Sequence, residues 1–324
     1  MGVVLKMSLM SVELIIPVKN PGGTFISVLR SWRSQVVPDG VSFSCCIVDD
    51  GTLDSALVSQ VVRAVGWSDG VRLIRNEVSL GRAGAVNAGA KSSNADKLII
   101  LDADCRAASD STLQEILQAG SGFDGLVFGG IRSEGYGFWS EYFNEVMRQR
   151  EAQFESGVLH AFSSQYCMVP NALFYQSGGF DDSYKRYGFE DRDWILRVLS
   201  CRSGARYAKS SIVWHDDELS LTSICEKMFL AGTDASYIFR NSHPDQYAGS
   251  SYARVDANTV SPISSVVLKC VSPFWRLWAR LAAGVIGLPC PFCVTSKLVK
   301  VCSGLAYYAG TAKRRCASRP ADDA

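Results

Sequence analysis

The chain has 324 residues, 47% of them hydrophobic, and its 33 basic and 32 acidic side chains leave a formal charge of +1. That content buries an ordinary core and excludes a disordered chain, while the charge balance gives no global field to gather nucleic acid. The eleven Cys fall inside apolar runs (Cys45, Cys46, Cys167, Cys201, Cys225) with no regular framework, which predicts reduced thiols rather than an oxidised scaffold.

Residues 1–10 hold one Lys and an apolar run too short for a signal peptide, and they lead straight into a strand. Val12 to Val18 reads as that strand, Lys19 to Gly23 as a loop, and a helix follows from Thr24. Phe43 to Val48 is a second apolar strand ending in Asp49-Asp50-Gly51-Thr52. Ser55 to Val65 carries Leu57, Val58, Val61, Val62 and Val65 at helical spacing and stops at Gly66, a C-cap residue. Val71 to Ile74 is a third strand. The run Gly81 to Ala90 is built of small residues that let a helix lie close to a sheet or ligand, with Arg82 and Asn87 as its only donors.

Leu98 to Leu101 is a buried strand that delivers Asp102 and Asp104 to its C-terminal edge. In open α/β sheets that edge binds ligands, and two Asp separated by one residue there can meet a divalent cation and its anionic ligand; capping of the next helix is the alternative. Strands alternating with helices over the first hundred residues predict a doubly wound, mostly parallel sheet.

Beyond Asp110 the spacing predicts a helix over 112–119, a strand over 125–128, a helix over 138–154 and a strand over 164–174. Gly178 to Tyr184 is a turn-rich loop, and Glu190 with Asp191 falls in the first turn of a helix, where the macrodipole favours carboxylates. A strand ends at His215, next to Asp216-Asp217, and a helix runs from Ser220 to Arg240. In the tail, Phe274, Leu277, Trp278, Leu281, Val285 and Leu288 recur at helical spacing with Arg276 and Arg280 offset, and Val294 to Tyr308 repeats the pattern with Lys297 and Lys300. Neither piece reaches the roughly 20 apolar residues of a spanning helix. Both fit amphipathic helices lying on a membrane, with packing on the globular part as the alternative. Cys290-Pro-Phe-Cys293 has redox spacing but lacks the partners of a zinc set, and it reads as structural.

The blocks Ile15 to Asn20, Val48 to Thr52, Asn76 with Gly81 to Gly89, Leu101 to Asp104, and Gly178 to Asp182 with Gly188 to Asp191, in that order, resemble the family 2 inverting glycosyltransferases of GT-A fold over residues 12–216. The resemblance implies a Rossmann-like nucleotide-sugar half over 1–110, an acceptor half over 111–245, and a C-terminal helical membrane-associating region over 246–324. It implies that Pro17 and Val18 line the base pocket and that Asp49 or Asp50 accepts a hydrogen bond from the base, usually uracil. Arg82 and Asn87 fall where such enzymes hold base or diphosphate. Asp102, with Ala103, meets ribose or sugar, and Asp104 ligates Mn2+ or Mg2+, joined in the metal set by Asp102 and by His215. Asp191, or less favourably Glu190, is the catalytic base.

These roles fit elementary chemistry. A hard cation offsets the charge building on a departing diphosphate, and inversion needs one carboxylate, ionised at neutral pH, beside the acceptor hydroxyl. His215 is weighed against an ordinary packed His, and Tyr187, Phe189 and Trp194 are left open between stacking on an acceptor sugar and core. The expected activity is transfer from a nucleotide sugar to a glycan or lipid-linked acceptor, on the cytoplasmic face of a membrane, with no nucleic-acid partner. Donor selectivity falls to the loops 131–137 and 162–171. The competing readings are a non-catalytic nucleotide-sugar-binding membrane scaffold and, less favoured, a haloacid-dehalogenase-type phosphatase. The latter places its acidic pair after the first strand, whereas here it follows the fourth.

Overall fold

The structure, a computed structural model, describes residues 9–67, 69–201, 204–216, 219–286 and 288–317. Most of the leading segment read as non-secretory, residues 1–8, lies outside these, as does Asp217 beside His215.

The strands are β1 (Met10–Val18), β2 (Val41–Asp50), β3 (Val71–Asn76), β4 (Lys97–Leu101), β5 (Cys105–Ala107), β6 (Leu126–Arg132), β7 (Tyr166–Pro170) and β8 (Ala205–His215). The helices begin with α1 (Phe25–Arg33), α2 (Leu57–Val65), α3 (Gly81–Lys91), α4 (Thr112–Ala119), α5 (Phe138–Glu155), α6 (Asn171–Gln176) and α7 (Glu190–Ser200). Then come α8 (Leu221–Leu230), a wide helical turn at Ala231–Ala235, α9 (Ser236–Ser242), α10 (Pro244–Ala248), α11 (Pro262–Val271), α12 (Trp275–Ile286) and α13 (Phe292–Ala317). Two compact units result. The first takes the described residues of Met1–Gly135, Phe143–Asp182 and Trp194–Asp217; the second takes those of Tyr136–Tyr142, Ser183–Asp193 and Glu218–Ala324.

In the first unit one eight-stranded sheet runs in the order β3-β2-β1-β4-β7-β6-β8-β5. The strands β3, β2, β1 and β4 are all parallel, as the helical crossovers require, while β7 and β5 enter antiparallel to β4 and β8. Continuous apolar runs explain the central strands: Leu14, Ile15, Ile16, Leu98, Ile99, Ile100 and Leu101 are all fully buried. The small residues of α3 do what their size allows, since a Cβ on Gly89 would stand 2.7 Å from Ile15 Cγ2 and 3.0 Å from Val48 Cγ2. Gly66 closes α2 in the left-handed conformation at φ +66°.

The expected strand over 164–174 is corrected: it stops at Pro170, and Asn171 to Gln176 turn into a helix. The apolar run Ala172-Leu173-Phe174 has no period of its own. Its register is set by packing, with Phe174 against Trp194 at 5.6 Å, and by Asn171, whose side chain donates to the carbonyl of Ala95. The three-residue β5 escaped the sequence reading altogether.

The second unit is helical. Trp275, Ala279 and Ala282 of α12 pack with Val299, Cys302, Leu305 and Ala306 of α13 and with Leu221 and Cys225 of α8. The backbones of α13 and the α8 exit come together at glycines: a Cβ on Gly310 would stand 2.2 Å from Phe229 O, and one on Gly232 2.4 Å from Tyr307 O. No described helix is long and apolar enough to cross a membrane.

Candidate active site

Parallel pairing of β2, β1 and β4 brings their carboxyl ends side by side, with Val18 opposite Asp49 and Ile15 opposite Ile100. Pro17 and Val18, Asp49 and Asp50, and the turn Asp102-Ala103-Asp104 therefore share one edge of the first unit. The acidic pair lies in a tight turn into β5, where the Cys105 N–H donates to Asp102 O at 3.0 Å, and does not cap a helix.

The two neighbouring Asp at the end of β2 are both buried and both engaged. Asp49 pairs with Arg75 and accepts the Thr52 N–H at 2.9 Å. Asp50 accepts from Asn76 at 2.9 Å, from the Ser79 hydroxyl at 2.6 Å, and from the N–H groups of Leu80 and Gly81 at 2.8 and 3.0 Å. Burial disfavours the Asp50 charge, but those four donors outweigh it and hold the carboxyl below its ordinary value.

Arg82, in the first turn of α3, donates from Nε to Asp102 Oδ1 at 2.7 Å and from its two terminal nitrogens to the hydroxyl and carbonyl of Ser164 at 3.0 Å. Its guanidinium also lies 5.6 Å from the Phe180 ring centre. Asn87 lies further along α3. Its amide donates to Phe180 O at 2.8 Å and Asp182 Oδ1 at 3.0 Å and accepts the Phe180 N–H at 2.9 Å, pinning the loop after Gly178-Gly179.

Asp104 and His215 come together because β5 pairs antiparallel with β8, Cys105 opposite His215. His215 Nε2 is 3.5 Å from Asp104 Oδ2. The imidazole is buried and stacked on Phe143 at 4.8 Å with 21° between the planes, while the Asp104 side chain is 36% exposed. The next acid, Asp216, is taken by Arg106 at 3.1 Å. Among the described residues no three His, Cys, Asp or Glu side chains converge as a metal cage. A carboxylate and an imidazole at an exposed edge nevertheless fit a cation that draws its remaining ligands from substrate phosphate and water, as Mg2+ and Mn2+ do.

In the second unit Glu190 and Asp191 open α7. Glu190 Oε2 accepts the Gly188 N–H at 2.9 Å, and Asp191 Oδ1 accepts the Arg192 N–H at 2.8 Å. Of the aromatics left open by the sequence, Trp194 is fully buried and stacked on Phe180 at 4.8 Å, Phe189 is buried, and Tyr187 is half exposed. Sequence reading missed His243, which binds Asp193 two residues beyond Asp191. The available signal was small: His243 is one of three His, at a helix end.

The chain is similar in fold to a mannosyltransferase, PcManGT from Pyrobaculum calidifontis solved in complex with GDP-Man and Mn2+, with a TM-score of 0.62 at 14% identity over 95% of this chain and 88% of that one. S. aureus TarS 1-349 in complex with UDP-GlcNAc gives a TM-score of 0.53 at 15% identity, covering 95% and 92%. The layered sheet with its acid-rich carboxyl edge is the GT-A fold of glycosyltransferases. The sequence profile of glycosyl transferase family 2 matches residues 13–177, and the chain belongs to that family. An undecaprenyl-phosphate 4-deoxy-4-formamido-L-arabinose transferase of Pseudomonas aeruginosa (strain LESB58) is 31% identical over 126 residues, 38% of this chain. The match spans 36% of the length of that relative.

Proposed function

We propose that the protein is an inverting, metal-dependent glycosyltransferase. It moves a sugar from a nucleoside-diphosphate donor, read as a UDP-sugar, to a hydroxyl of a glycan or lipid-linked acceptor in surface polysaccharide synthesis. The observation that carries the reading is the pairing of Asp104 with His215 next to an Asp102 already matched by Arg82, all at the carboxyl edge of the nucleotide-side strands. Support for the donor and cation comes from the two structural neighbours, solved with a nucleotide sugar and, in one, Mn2+. Support for a lipid-linked acceptor comes from the undecaprenyl-phosphate transferase.

Asp104 and His215 would hold Mn2+ or Mg2+, with Asp102 beside them; when bound, such a cation offsets the negative charge that grows on the leaving diphosphate. Pro17 and Val18 present main chain to the base, and Asp49 or Asp50 accepts its N–H. Arg82 keeps Asp102 aimed, so that Asp102 and the Ala103 main chain meet ribose or sugar. Asn87 serves the donor indirectly, by fixing the loop at Phe180. Asp191 takes the acceptor hydroxyl proton as the new bond forms at the anomeric carbon and the bond to the diphosphate breaks on the opposite face. Glu190, which accepts the Gly188 N–H, is the less favoured base. The enzyme works as a peripheral protein on the inner face of the cell membrane, held by α11 to α13.

The test begins with a nucleotide-sugar panel in Mn2+, read by thermal stabilisation and by diphosphate release. Asp104→Ala is expected to abolish release, and Asp191→Asn to slow transfer by roughly 100-fold or more while donor binding persists. Full-rate transfer by Asp191→Asn would remove the base assignment. Stabilisation without any diphosphate release would favour the scaffold reading.

A further inference from the structure

The second unit contains a cluster that the mechanism above does not use. Phe189, two residues before Asp191, has φ +66°, in the left-handed region that a bulky side chain rarely adopts. A cage of rings holds it there. Phe189 stacks on Phe239 with centroids 4.9 Å apart and 22° between planes, and meets Tyr252 edge-on at 5.0 Å, Tyr247 at 6.1 Å and Tyr307 at 6.4 Å. The cage is itself tied, since the Tyr247 and Tyr307 hydroxyls are 2.8 Å apart and Tyr247 donates to Asp256 at 2.5 Å. The loop into Phe189 presses on the wide helical turn: a Cβ on Gly188, at φ +119°, would stand 2.6 Å from Ala231 Cβ.

Four residues after Phe189, the buried Asp193 carboxylate accepts a hydrogen bond from His243 Nε2 at 2.8 Å, the carboxylate fixing which nitrogen carries the proton. His243 is set in place by its backbone at the junction of α9 and α10. Its N–H donates to Phe239 O at 2.8 Å and its carbonyl accepts the Tyr247 N–H at 2.9 Å. The Asp193 N–H in turn donates to Phe189 O at 2.8 Å, an opening hydrogen bond of α7. Asp191 is the middle residue of the turn which that bond closes. Both ends of the turn are thus anchored, one by an aromatic cage and one by a buried carboxylate–imidazole pair.

We infer that His243 is a positioning residue for Asp191, acting through Asp193, with Phe189 as the second anchor. The inference rests on the reading of Asp191 as the base. A base must meet its hydroxyl within hydrogen-bond reach, and small displacements of such a group are costly in rate. A strained backbone and a buried carboxylate–imidazole hydrogen bond are expensive ways to hold a helix end that packing alone could hold, and here they flank one carboxylate.

Two readouts test this on the 324-residue chain. The first is amide hydrogen exchange across residues 189–195. The second is diphosphate release from whichever of UDP-N-acetylglucosamine, UDP-glucose and GDP-mannose the wild-type protein turns over fastest in Mn2+. His243→Ala is expected to raise exchange in that segment and to lower kcat by about tenfold or more, with donor KM unchanged. His243→Gln, whose side-chain N–H can still reach Asp193, is expected to recover most of the rate. Unchanged exchange in His243→Ala, no advantage of Gln over Ala, or a KM that rises as kcat falls would each overturn the inference. Asp191→Asn run alongside separates it from its premise. An inactive Asp191→Asn beside a fully active His243→Ala sinks the clamp alone, and a full-rate Asp191→Asn sinks the base assignment and the clamp together.

Discussion

Four donors converge on Asp50, and two of them are the N–H groups of Leu80 and Gly81 at the start of α3, so this carboxylate joins the end of β2 to the helix that carries Arg82. Its folded carboxyl titrates below the ordinary 3.8. The resulting stabilisation is complete above the unfolded value and fades as pH falls through the folded one, so acid below about pH 4 loosens this joint. Asp50→Asn turns an acceptor-only group into one that points N–H at N–H. It is expected to cost about 1–3 kcal/mol at neutral pH and to flatten the acid limb of stability, as read by urea unfolding at several pH values. At this scale much was legible: Asp102, Asp104, Asp49, Asp50 and Asp191 announce themselves by following apolar strands or opening a helix. His243 and Phe189 do not, because their meaning lies in partners such as Tyr307, more than a hundred residues from Phe189, and in a backbone angle no local pattern encodes.

The helices of the second unit depend on two glycines for their crossing. Because Gly310 and Gly232 each face a carbonyl of the other segment, any side chain there must push backbone against backbone. Gly310→Val is expected to destabilise by about 3 kcal/mol or more, seen as a lower Tm. Gly284 in α12 has open space around it, and Gly284→Ala is expected to be neutral or to stabilise by up to about 1 kcal/mol. Elements with a long period were readable from spacing: α4, α5, α7 and α13 start where the apolar rhythm starts. The strand end at Pro170, α6, β5 and α11 were not. They are short or mixed in period, and tertiary packing decides them.

Across the whole chain, α11 and α12 leave a wide apolar surface uncovered. Ile263, Val266, Val267, Phe274, Leu277 and Leu281 are all at least half exposed, with Lys269, Arg276 and Arg280 exposed among them. Exposed apolar side chains with cations among them suit an anionic bilayer surface, as the proposed membrane association requires. The 324-residue chain is expected to float with vesicles rich in anionic lipid, and Leu277→Glu with Leu281→Glu to leave it in the soluble fraction; equal flotation of both would remove the proposed membrane association. The doubly wound half was visible in the alternation of strands and helices, but the partition into two units was not, since residues 136–142 and 183–193 join the later helices despite lying among the strands. The aromatic cage has a practical bearing on how this protein is cut. A shortened version ending before α11, made to escape lipid and ease purification, would also discard Tyr307. Silence from such a fragment would trace as readily to the Phe189 turn losing its anchor as to lost lipid, and would decide nothing about a bilayer.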